Sequence, residues 1–122
     1  MSISISTAKY PREAALAALA DPTRARIVEM LATRPHAASE LHRAFPIAAP
    51  AVSRHLRVLR EAGLVAERRP EDDRRVRVYS LRTEQVQELA DWLSGVTQTW
   101  QNQLESFKDY VALRTGRPER GA

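Results

Sequence analysis

The apolar positions of the chain fall into four runs with a helical period, one stretch where the period drops to two, and a last, longer helical run. The first run, from Pro11, is alanine-rich, with Leu16 and Leu19 placed to pack and alanines that let another helix come close. Asp21-Pro22 then reads as a cap followed by a proline at the first helical position, where no N–H is needed. Ile27, Met30 and Leu31 form the stripe of this second helix, which Pro35 stops. A short helix over residues 39–45 is anchored by Leu41 and Phe45, and Pro46 ends it. The next helix, predicted over 50–62, repeats Val52, Leu56 and Leu59 at i, i+4, i+7, and Gly63 supplies a left-handed stop. Residues 65–69 and 74–81 read as two strands around the polar turn Pro70-Glu71-Asp72-Asp73, with Val76 and Val78 alternating against Arg75 and Arg77.

The last run spans residues 83–113. Val86, Leu89, Leu93, Val96, Trp100, Leu104, Phe107 and Val111 follow one another at steps of three and four, close to a heptad seam. Such a helix is about 46 Å long at roughly 1.5 Å per residue. A globule of this chain length is only about 28 Å across, from a radius of gyration of roughly 14 Å. The seam therefore outruns the core of its own subunit, which predicts that a second copy covers it. Leu16, Leu19, Leu89, Leu93, Val96, Trp100, Leu104 and Phe107 are the expected dimer interface. Gly95 interrupts the run at a cost of roughly 1 kcal/mol relative to alanine, and a bend or break is open there.

Composition sharpens the picture. The 122 residues make one domain's worth of chain, 43% hydrophobic and 28% charged. Residues 1–9 read as a loose arm, 10–113 as the folded domain with its terminal dimerisation helix, and 114–122 as a basic flexible tail. No run is long and apolar enough for a membrane span, and the start is too polar for a secretory leader, so the expected compartment is the cytoplasm. With no cysteine, disulfides and thiolate metal sites are excluded.

Net charge is +4, carried by 17 arginines and only two lysines. A GC-rich genome and a need for planar, bidentate cations both account for that bias. Position separates them better: residues 50–82 hold nine arginines against five acids, whereas residues 83–113 hold one lysine against five acids.

Helix, helix, short helix, helix, basic hairpin and long helix is the order of a winged helix-turn-helix: mostly α with a small β-hairpin. A helix of this kind fits the major groove, and a hairpin beside it grips the flanking backbone. Burying Val52, Leu56 and Leu59 turns Pro50, Ser53, Arg54 and Arg57 outward. Arg54 is the candidate for a guanine edge, Ser53 for a phosphate or base, and Arg57 and Arg60 for phosphates. His55, at the edge of the buried stripe, has two readings: a phosphate contact or a packed core-edge histidine. Arg68, Arg69, Arg74, Arg75 and Arg77 are the wing candidates for backbone contacts, against the plainer reading of a solvated charged hairpin. The expected partner is double-stranded DNA.

Residues 18–28, Ala-Leu-Ala-Asp-Pro-Thr-Arg-Ala-Arg-Ile-Val, resemble the opening signature of ArsR-type repressors. Residues 51–65, Ala-Val-Ser-Arg-His-Leu-Arg-Val-Leu-Arg-Glu-Ala-Gly-Leu-Val, are similar to that family's recognition helix, and Val76 to Leu81 to its wing. The resemblance covers about residues 10–90. It implies a winged-helix dimer, paired through its first and last helices, that represses transcription by occupying an operator; the two-fold axis of a dimer predicts that this operator is an inverted repeat.

The departures are specific. Many members sense metal through two cysteines, and the matching positions here are Ala37 and Ser39. A second family metal site uses histidines of the last helix, and residues 83–113 have none. His36, His42 and His55 lack ligand-like spacing, so no metal and no cofactor is expected. Asp72-Asp73 stands where the family often has Gly-Arg, and acid there predicts a wing tip that stays out of the groove. The helix start Ala48-Ala49-Pro50 lacks a polar cap.

Catalysis is not expected. There is no nucleophile elbow, phosphate-cradling glycine loop or metalloprotease helix motif, and Ser53 and His55, two apart on a helix, face different sides. A winged-helix module that binds protein instead of DNA is the alternative, and the arginine density of the wing argues against it. Whether an effector binds is not written in the residues: Trp92 and Trp100 suit seam packing, with a pocket between subunits as the other reading.

Overall fold

The computed structural model describes residues 9–115, so most of the expected arm and tail lies outside the described residues. The chain divides into two compact units, one ending at Gln87 and the other beginning at Glu88. The first unit holds α1 (Arg12–Leu19), α2 (Pro22–Thr33), β1 (His36–Ala37), α3 (Ala38–Ala44), α4 (Ala49–Glu61), β2 (Val65–Arg68) and β3 (Val78–Leu81). The helix α5 (Thr83–Thr115) begins in it and continues through the second.

Small residues set the α1 contact. Ala15 and Ala18 are buried, whereas within the single chain Leu16 is exposed and Leu19 half-buried, so the alanines are the core positions of this helix. Asp21 caps α2 by accepting the Arg24 backbone N–H at 3.0 Å, and Ile27 and Leu31 are buried beneath it. At α3, Glu40 accepts the Ala37 backbone N–H at 3.0 Å and pairs with Arg34 at 2.8 Å. Only half of a capping box forms, because Ala37 has no side-chain acceptor.

Val52, Leu56 and Leu59 are all buried on α4, as their spacing predicts. The helix ends in a Schellman motif: Leu64 N–H donates to the Leu59 carbonyl and Gly63 N–H to that of Arg60, each at 3.0 Å. Gly63 takes a φ of 80°, and Leu64 tucks under the end with 1% exposure. A side chain at Gly63 would also run into the Tyr10 ring, which lies against the Arg82 guanidinium at 5.3 Å.

The sheet has three strands, not a lone hairpin. β3 is central, pairing antiparallel with β2 (Val65 opposite Leu81) and with β1 (His36 opposite Tyr79). A two-residue strand has no period to read, which is why β1 escapes the pattern. The second wing strand also starts later than spacing suggests, at Val78 instead of residue 74. The intervening loop is shaped by Asp73, whose backbone N–H donates to the Pro70 carbonyl and whose carboxylate accepts both the Arg75 backbone N–H and its Nε, at 3.2 Å each. The buried strand residue is Tyr79, while Val76 and Val78 are half-buried. β3 packs on α2 and buries Tyr79, one position out of phase with Val76 and Val78.

In the second unit α5 stays helical through Gly95, where an added Cβ would meet nothing within 4 Å. Leu89 is buried. Leu93, Val96, Trp100, Leu104 and Phe107 are 39% to 62% exposed within the single chain.

Candidate nucleic-acid interface

The outer face of α4 and the base of the wing enclose a groove of about 390 Å³ lined by Pro50, Ser53, Arg54, Arg57, Arg60, Arg77 and Tyr79. The helix presents this face because its other side is committed to the core through Val52, Leu56 and Leu59. Arg54 and Arg57 are exposed, and neither makes an ion pair among the described residues. Ser53 is half-buried, its hydroxyl 3.4 Å from His42 Nε2. On the wing, Arg68, Arg69, Arg74 and Arg75 are exposed. Arg69 donates to the Arg74 carbonyl at 3.0 Å, which stiffens the loop, and Arg75 is drawn to Asp73.

Three of the candidate residues are engaged elsewhere. His55 turns toward the α1–α2 corner, its Nδ1 3.2 Å from Arg24 Nη1 and 3.9 Å from the Asp21 carboxylate. A guanidinium only donates, so in this contact Nδ1 is the acceptor. This geometry favours the core-edge reading over a phosphate contact. Arg24 also donates to the Ala18 carbonyl at 2.7 Å, tying α1, α2 and α4 together at one point. The Arg24 backbone N–H holds the Asp21 carboxyl below its ordinary value.

Arg60 and Arg77 converge on Glu67 of β2. Arg60 Nη1 lies 2.9 Å from one carboxylate oxygen, and Arg77 Nη1 lies 3.7 Å from the other. The Tyr79 hydroxyl donates to that second oxygen at 2.9 Å. Burial, then the bond to Glu67, pushes the Tyr79 phenol above its ordinary pKa. Sequence reasoning passed over Glu67, although its place two residues after Val65 on a strand facing the arginine helix was a usable signal.

The positions that match the family's two cysteines lie at the junction of β1 and α3. Ala37 is in β1, and Ser39 is exposed on α3. His36 is buried and uses Nε2 to donate to the Met30 carbonyl at 3.2 Å. Among the described residues no cluster of three or more His, Cys, Asp or Glu side chains could hold an ion, and no helix is long and apolar enough to cross a membrane.

A family model described as a helix-turn-helix domain matches residues 19–68, the stretch from the end of α1 through β2. The HTH-type transcriptional regulator Rv2034 of Mycobacterium tuberculosis is 51% identical over 72 residues, 59% of this chain and 65% of that protein. The chain thus spans just under two thirds of that relative. The transcriptional repressor SdpR of Bacillus subtilis is 29% identical over 71% of this chain and 93% of its own length. An ArsR-like transcriptional regulator from Rhodococcus sp. RHA1 superposes with a TM-score of 0.65 at 26% identity, covering 81% of this chain and 91% of that one. The chain has the winged helix-turn-helix fold of ArsR-type regulators.

In this chain the matched stretch holds α2, β1, α3, α4 and β2, and the superposed structure extends the likeness to 81% of the chain.

Proposed function

We propose that the chain represses transcription by binding an inverted-repeat operator as a homodimer, with α4 in the major groove and the wing along the backbone. The observation that carries this is the division of α4: three core residues on one side, and Ser53, Arg54 and Arg57 open on the other beside exposed wing arginines. Arg54 reads a guanine through its two parallel donors, and Arg57 with Arg68, Arg69 and Arg74 contacts phosphates. The likeness to a protein named as a repressor supports the direction of control. The exposed seam of Leu93, Val96, Trp100, Leu104 and Phe107 supports the second copy. Two copies related by a two-fold axis would read half-sites about one helical turn, roughly 34 Å, apart. Such work takes place in the cytoplasm.

Selection of bound fragments from the source genome, followed by gel-shift titration, tests the proposal. An enriched palindromic site whose affinity falls about fivefold or more on Arg54→Ala, and also falls on Arg57→Ala, with unchanged melting temperature, is the expected result; a bidentate base contact is worth about 1–3 kcal/mol. Absence of any duplex binding would transfer the fold to a protein-binding role.

A further inference from the structure

The basic groove has an acid at its floor. Glu67 is the one carboxylate that reaches Arg60 and Arg77 among the described ion pairs, and its side chain is only 19% exposed. Both of its oxygens are used: one by Arg60 at 2.9 Å, the other by the Tyr79 hydroxyl at 2.9 Å with Arg77 at 3.7 Å. Arg60 and Arg77 are less open than Arg54 and Arg57, which line the same groove without such a partner. The arginines thus divide into two that face outward unpaired and two that face a fixed internal anion.

That division matters because a phosphate and a carboxylate ask the same thing of a guanidinium. Binding to duplex of arbitrary sequence is driven almost wholly by counterion release, which counts the arginines that reach phosphates. An arginine that must leave a partly buried carboxylate to reach DNA leaves behind an uncompensated charge, and that loss offsets the new contact. We propose that Glu67 is a specificity-determining residue: it acts as a built-in counter-charge that withholds Arg60 and Arg77 from DNA phosphates and so limits the grip on non-operator sequence. Operator reading through Arg54 is untouched, so base contacts supply a larger share of operator affinity. The proposal rests on the DNA-binding function put forward above. The plainer role, a staple between the end of α4 and β2, predicts effects on stability and none on the number of ions released.

The test is the salt dependence of binding to a random-sequence duplex, measured by fluorescence anisotropy for the wild type, Glu67→Gln, and the pair Arg60→Ala and Arg77→Ala in both backgrounds. Glutamine keeps the size and an acceptor for Tyr79 while removing the charge. The expected result is a log–log slope steeper by about one to two in Glu67→Gln, since each freed arginine adds about 0.9. Affinity for random duplex rises several-fold at low salt, and Arg77→Ala cancels part of the gain. In the wild-type background, Arg60→Ala and Arg77→Ala leave the slope within experimental error. An unchanged slope in folded Glu67→Gln overturns the proposal while leaving DNA binding standing. Should Glu67→Gln fail to fold, the arginine variants decide: a slope reduced by about one for each overturns it, an unchanged slope supports it. A wild type with no salt-dependent duplex binding overturns both this proposal and the function beneath it.

Discussion

Gly63→Ala perturbs the turn that aims α4 at the wing, and its cost can be worked from two separate terms. Gly63 has a φ of 80°, and a side chain in the left-handed region costs about 1–2 kcal/mol. The added Cβ would also overlap the Tyr10 ring, which is held against Arg82. Forcing a methyl group into an occupied site costs about 1–3 kcal/mol. The two terms together give about 2–5 kcal/mol, or roughly 10–20 °C in Tm for a chain of this size. The assay is urea and thermal unfolding followed by far-UV circular dichroism, at fixed chain concentration because association would shift the midpoint. The second term should vanish when the ring is gone: in a Tyr10→Ala background, Gly63→Ala should cost only the backbone part, about 1–2 kcal/mol. Equal costs in the two backgrounds would falsify the steric half of the argument, and a neutral Gly63→Ala would refute both halves.

Glu40 should shape the acid limb of the stability curve. Its carboxyl is drawn from 4.5 down to about 2, first by the Arg34 guanidinium and then by the Ala37 backbone N–H. A folded value below the unfolded one means that its contribution is complete above about pH 4.5 and is lost as pH falls toward 2. Urea midpoints measured from pH 6 to pH 2 should therefore fall less steeply for Glu40→Gln, and parallel curves would count against the pairing. In the proposed dimer, Leu93→Asp or Leu104→Asp should weaken self-association roughly 100-fold or more, because an unpaired charge would be buried at the seam. Sedimentation velocity reads this directly, and a wild type that stays monomeric at micromolar concentration removes the seam argument. Asp21→Ala should cost about 1 kcal/mol through the lost cap. It should also loosen His55, visible as a shift of its ring resonances in NMR; an unmoved spectrum would separate cap from histidine.

The elements that a repeating pattern specifies were legible from the residues. The α4 stripe, the Asp21 cap, the Gly63 stop and the long terminal helix all depend on neighbours within a few residues, and each stands where spacing puts it. Features without such a pattern were not. β1 is too short for a period, and the wing strand lost its first residues to a loop that Asp73 folds with its own carboxylate. In α1 the residues that face the core are alanines, which are too small to stand out as a hydrophobic stripe.

The order of residues along the chain determined which segments coil, which extend, and that positive charge collects between Pro50 and Arg82, since those properties are local. Which cations remain available was settled only by folding. Two strands and a helix had to meet before Glu67 could reach Arg60 seven residues away and Arg77 ten away, and before His55 could find Arg24 across thirty-one positions. Charge pairing depends on distance in space, and a linear string of residues does not contain that distance.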